Sequence, residues 1–168
     1  MSKIIKFKDI KKDFNSCVKE IQNICKNDID KINNLILEKL DSKVPLIKEI
    51  ANYIVLSGGK RLRPLLTVVC TKMSGYGFND DEKKHIDLAT AIEFIHTATL
   101  MHDDVVDESV LRRGKPSPKE IWGNKTSVLV GDFLLSRAFQ LMAKNVSQEI
   151  LELLSNTSVI ISEGEVLE

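Results

Sequence analysis

Asp103-Asp104-Val105-Val106-Asp107 sets two carboxylates, Asp103 and Asp107, four residues apart, which stacks them one above the other on a single helix face. Two anions so placed repel, and Asp is a poor helix former, so the pair needs a compensating cation unless it is incidental charge on a frayed, solvated helix end. Oxygen ligands without Cys and with sparse His suit a hard ion such as magnesium, which keeps waters and accepts phosphate oxygens as further ligands. Arg112 and Arg113 follow within a few residues. Carboxylates beside guanidinium groups match the needs of a magnesium-diphosphate complex.

The 24 Lys and Arg include only five arginines, and four of these sit in Gly58-Gly59-Lys60-Arg61-Leu62-Arg63-Pro64 and Leu111-Arg112-Arg113-Gly114-Lys115-Pro116. A chain that meets its general need for positive charge with Lys has kept Arg for places where a planar, bidentate donor matters; the alternative is chance clustering in solvated loops. In the first segment, Lys60 and Arg63 are read as pointing together, beside the backbone N–H groups that open a helix at Pro64, while Arg61 reads as simply solvated. His96, one heptad before Asp103, is either a satisfied core histidine or part of the same site.

The remaining composition bounds these readings. The chain has 168 residues, 43% hydrophobic and 5% aromatic, and its 24 basic residues are balanced by 24 acidic ones. That suits one globular domain and argues against nucleic-acid binding, which needs a basic field or a stacking platform. Cys17, Cys25 and Cys70 form no C-x-x-C pair, so buried reduced thiols are expected rather than disulfides or zinc. No secretory signal and no run long enough to span a membrane are read, so the expected location is cytoplasmic.

The elements that must carry these groups are all helical. Apolar residues recur at helical spacing from Phe7 to Cys25, then from Ile29 to Leu40, and sustained period-two alternation is absent. A third helix is expected from Pro45 to the Gly58-Gly59 stop, a fourth from Pro64 to Gly75, and a fifth, the longest, from the Asn79/Glu82 capping pattern to Asp107. The segment 114–123 reads as a loop. Further helices are expected from about Thr126 through Leu141 and from about Ser147 to the end, giving an all-α bundle.

Taken in order, Gly-Gly-Lys-Arg-Leu-Arg-Pro, the stretch Glu93 to Asp107, Leu111 to Pro116, Gly131-Asp132-Phe133-Leu134-Leu135-Ser136 and Glu163-Gly164-Glu165 resemble the signature of the trans-isoprenyl diphosphate synthases, the polyprenyl synthetase family. The resemblance implies the isoprenoid synthase helical bundle and chain elongation: an allylic diphosphate ionises, isopentenyl diphosphate attacks, and a proton is lost. It further implies that Asp103 and Asp107 hold magnesium on the allylic diphosphate with Arg112. Lys60, Arg63, His96 and Arg113 would take the isopentenyl diphosphate. In this family bulky aromatics just before the first aspartate close the product tunnel; Ala98 and Thr99 are small, which implies a long-chain, quinone-tail type of product.

The family carries a second aspartate-rich motif on a later helix, and none follows Glu165 here. The resemblance therefore covers roughly the N-terminal half of the family domain, so residues 1–168 are expected to be a partial polyprenyl synthetase domain, inactive alone, that pairs with the missing half or self-associates. A non-catalytic diphosphate-binding or regulatory half-domain is the alternative of another class. A terpene cyclase fits less well, because two basic segments imply two diphosphate sites.

Overall fold

A computed structural model describes residues 14–56, 59, 61–76 and 83–167. Its elements are α1 (Phe14–Ile24), α2 (Lys26–Lys39), α3 (Pro45–Leu56), α4 (Leu62–Met73), α5 (Lys84–Val106), β1 (Leu111–Arg112), β2 (Lys115–Pro116), α6 (Pro118–Trp122), α7 (Asn124–Asn145) and α8 (Gln148–Leu167). The all-α bundle expected from periodicity is the architecture observed, apart from one two-residue hairpin. The expected helix over residues 7–25 is described only from Phe14, and the Asn79/Glu82 cap lies outside the described residues.

Helix boundaries follow local chemistry. Pro45 opens α3, where a missing N–H costs nothing. Pro64 falls within the first turn of α4, which begins two residues earlier at Leu62. Gly75 ends α4 with φ +78, and Tyr76 N–H donates to Thr71 O (3.1 Å) while Gly75 N–H donates to Lys72 O (3.0 Å). That double bond is the left-handed closure for which Gly is suited.

The segment 114–123 is not a plain loop. Leu111 pairs with Pro116 and Arg112 with Lys115, leaving Arg113 (φ +53) and Gly114 (φ +77) as a two-residue turn with both φ positive, as a tight hairpin of this twist requires. Pro118 then starts the short α6 behind the buried Ser117. Sequence patterning could not show strands of two residues, since alternation needs a longer run.

Helix α5 is the axis of the bundle, about 35 Å long for its 23 residues. It packs most extensively on α7 and also against α2 and α4. Its inward face carries Ala91, Phe94, Ala98 and Met101, all essentially inaccessible, against Val68 of α4 and Leu134 and Ala138 of α7. Helix α8 contrasts with this: it has no buried residue, and Leu153, Ile160, Ile161 and Leu167 are exposed.

Only Cys25 of the three free thiols is buried; Cys17 is half-buried and Cys70 exposed, which corrects the expectation that all three are core thiols. Burial pushes the Cys25 thiol up. Among the described residues no helix is long and apolar enough to cross a membrane.

Near the chemical end of α5, the His102 ring lies over Gly131 of α7, donating from Nε2 to Val128 O (3.2 Å) and sitting 3.5 Å from Asp132 Oδ1. A Cβ at position 131 would lie about 2.7 Å from His102 Cδ2, inside van der Waals contact. Gly131→Ala therefore expels the ring from the seam, and because that ring is a partly exposed side-chain tip, the gain in helix propensity offsets most of the cost, leaving stability within about 1 kcal/mol. Urea denaturation and the imidazole NMR signals of His102 check this; unmoved signals would refute it.

Candidate active site

Asp103 sits in the last turn of α5 and Asp107 caps its C-terminus, with Asp107 N–H donating to Asp103 O (2.8 Å). The expected stacking is thus realised at the negative end of the helix dipole, where a second anion is least welcome. Burial, followed by repulsion from Asp107, holds the Asp103 carboxyl above the ordinary range, with Arg112 opposing. Neither Asp103 nor Asp107 has an ion-pair partner among the described residues. Two unneutralised carboxylates on one face are a donor set that fits a divalent cation. No group of three or more His, Cys, Asp or Glu converges among the described residues, so such an ion would draw its remaining ligands from water or an incoming oxyanion.

The aspartate between them has a separate task. Asp104 is wholly buried, and Arg112 grips it bidentately, Nε to Oδ2 and Nη2 to Oδ1, each at 2.7 Å. That fork fixes the β1–β2 hairpin on α5. Tyr53 of α3 fixes it from the other side: its hydroxyl donates to Pro116 O (2.9 Å), its ring meets Trp122 edge to face at 5.2 Å, and Lys115 Nζ lies 6.0 Å from its centre.

The first basic segment reaches the same place. Arg61 adopts a left-handed backbone (φ +47), and its Nη1 donates to Glu93 Oε1 (2.5 Å) while Nη2 donates to Val55 O (3.1 Å). The expectation that Arg61 is simply solvated is corrected: its guanidinium ties the end of α3 to the middle of α5. Gly59 lets Arg113 come close, since a Cβ there would stand 2.8 Å from Arg113 Nη1. Lys60 lies outside the described residues.

Arg61, Glu93, His96, Arg112 and Arg113 thus line one cleft that opens to solvent. Burial and then the Arg63 charge depress His96, with Glu93 opposing and Arg113 and Arg112 adding to the depression. Arg63, exposed at the start of α4, therefore acts on the cleft without lining it. The four arginines of the two basic segments divide into two kinds. Arg61 and Arg112 are neutralised by buried or nearly buried acids, whereas Arg63 and Arg113 have no ion pair among the described residues. The cleft thereby offers uncompensated positive charge to an anion, next to a carboxylate pair suited to a cation. Arg112 electrostatically touches both Asp103 and His96.

Ala98 and Thr99 part company. Ala98 is buried in the α5 core, and Thr99 is exposed on the face that carries Asp103, its hydroxyl donating to His96 O (2.9 Å). Neither lines the cleft. Sequence reasoning missed Asp104, Glu93 and Tyr53 as parts of the framework. For Glu93, the available signal was an acid one turn before His96 on an otherwise apolar helix.

The fold recurs in solved structures. A decaprenyl diphosphate synthase from Rhodobacter capsulatus superposes with a TM-score of 0.83 at 46% identity, over 89% of this chain and 45% of that one. A polyprenyl synthase from Caulobacter crescentus CB15, complexed with calcium and isoprenyl diphosphate, gives 0.83 at 48% identity, over 89% and 44%. The architecture is therefore that of the isoprenoid synthases. The polyprenyl synthetase family model matches residues 44–168, and the chain belongs to that family. It is 47% identical to octaprenyl diphosphate synthase of Escherichia coli (strain K12) over 151 residues, 90% of this chain but 46% of the relative. The chain thus spans about half the length of that relative.

Proposed function

We propose that this chain supplies the isopentenyl-diphosphate cleft and the first carboxylate pair of a long-chain trans-polyprenyl diphosphate synthase. The observation that carries the reading is the adjoining of an unneutralised carboxylate pair, Asp103 and Asp107, to a cleft with unneutralised Arg113, joined through Arg112. Arg63, His96 and Arg113, with Lys60, bind the diphosphate of isopentenyl diphosphate. Asp103 and Asp107 would hold magnesium, which supplies positive charge to the diphosphate leaving the allylic substrate. Arg112, oriented by Asp104, adds guanidinium charge to the same leaving group. A depressed His96 stays neutral near pH 7, so it is a hydrogen-bonding rather than a charged contact. Thr99, small and on the Asp103 face, leaves the path for a growing prenyl chain open.

The 168 residues span about half of the relatives' length, so the condensation to which they contribute is read together with the remaining half of the domain. The exposed apolar side chains of α8 support pairing with that half, which would equally serve a non-catalytic half-domain that binds diphosphate and joins another synthase chain. A condensation assay with and without a separately expressed complementary half distinguishes the two readings.

Titration supplies the test of the site itself. Isopentenyl diphosphate is expected to bind the 168-residue chain without metal, and an allylic diphosphate only with magnesium. Arg113→Ala should weaken the first by about tenfold or more and spare the second, and Asp103→Ala should do the reverse. Absence of affinity for both ligands in the unaltered chain would overturn the reading.

A further inference from the structure

Glu93 carries a buried charge that the reaction just described leaves unused. It is 8% exposed, on α5 one turn before His96, and its carboxylate accepts from Arg61 Nη1 at 2.5 Å. Arg61 spends its other hydrogen bond on Val55 O near the end of α3, and its own carbonyl accepts from Leu65 N–H (2.9 Å) at the start of α4. Helices α3 and α5 therefore meet at one guanidinium, and α4 starts from the backbone of the same residue. The backbone that turns between α3 and α4 passes through a left-handed residue, Arg61, a conformation disfavoured for a residue with a side chain and held only where surrounding contacts fix it.

That turn carries Gly59 on one side of Arg61 and Arg63 on the other. Gly59 leaves room for the Arg113 guanidinium, and Arg63 is the cation that acts most strongly on His96. Release of Arg61 would thus displace both arginines that lack an ion pair. A solvated Arg61 could not do this, and neither could a Lys, which lacks the planar fork that reaches the carboxylate and the carbonyl together.

We propose that Glu93 is a positioning residue for the isopentenyl-diphosphate cleft, acting through Arg61 to fix the turn that presents Arg63 and Arg113. This rests on the reading of the cleft as the isopentenyl-diphosphate site. The role runs against simple electrostatics. A carboxylate at the wall of an anion site repels the ligand, so its removal should tighten binding if charge alone mattered, and weaken binding if it holds the turn.

The experiment is a double-mutant cycle on the 168-residue chain, titrated with isopentenyl diphosphate, with hydrogen exchange of the Leu65 amide, which donates to Arg61 O, read in parallel. Glu93→Gln and Arg61→Gln are each expected to weaken binding by about tenfold, and the double variant to be no weaker than either single one. Magnesium-dependent allylic diphosphate binding should be unchanged in all three, and exchange of the Leu65 amide should quicken. If Glu93→Gln does not fold, Arg61→Gln and Arg61→Lys carry the same expectation. Equal or tighter binding in the single variants, or additive losses in the double, would overturn the proposal while leaving the cleft assignment intact. No binding of isopentenyl diphosphate to the unaltered chain would remove the cleft assignment and this proposal with it.

Discussion

Asp104→Ala destabilises the chain by about 3 kcal/mol, at the lower end of what the breaking of a buried ion pair costs. The reason is geometric. Asp104 is fully inaccessible and takes both arms of the Arg112 fork, so truncation leaves a cavity in α5 and a half-buried guanidinium without its partner. Because Arg112 keeps some exposure, part of its charge returns to water, which holds the loss near 3 rather than 5 kcal/mol. For a chain of this size the melting temperature should fall by roughly 6–12 °C. The hairpin that carries Arg113 loses its anchor as well, so isopentenyl diphosphate binding should weaken in the fraction that stays folded. Asp103→Ala, which removes a carboxylate that has no ion-pair partner, is the contrast: its Tm should hold or rise. Equal loss of stability in the two variants would refute the division of labour between the neighbouring aspartates.

The second large effect concerns the two small residues before Asp103. Ala98 is 1% exposed and packed among core side chains, so Ala98→Phe inserts a ring where there is no room and costs about 1–3 kcal/mol or more. Thr99 is exposed, and Thr99→Phe should leave Tm within about 2 °C. In an assembly competent for condensation, Thr99→Phe is expected to shorten the product. Any shortening of the product by Ala98→Phe is inseparable from its structural damage. Thermal unfolding of both variants, with product length read by chromatography, checks the pair. An unchanged Tm for Ala98→Phe, or an unchanged product for Thr99→Phe, would count against this account.

The helices were legible because their signals are local. Pro45 and Gly75 mark boundaries that a single residue's backbone preference decides, and the apolar spacing along α2 and α5 needed no knowledge of partners. The hairpin at 111–116 was not legible, since two-residue strands have no periodicity to read. Among the candidate site groups, Asp103, Asp107, Arg112 and Arg113 announced themselves as clustered charge. What the sequence could not tell was which arginine is free. Arg61 and Arg63 are two residues apart in one segment, yet one is bonded to Glu93, 32 positions away, and the other is exposed. Such assignments depend on which acid the tertiary packing brings within reach, a distance that spacing alone does not encode.

The two clamps of the site differ in how far along the chain they reach. Arg112 closes on Asp104 across eight residues, whereas Arg61 closes on Glu93 across 32. Short closures cost less chain entropy and form sooner than long ones. The cation-facing side can therefore take shape within one helix end and its hairpin, early in folding, while the anion cleft waits for α3, α4 and α5 to come together. Order of assembly is thereby written into the spacing of the acids: the carboxylate pair precedes the cleft it must face.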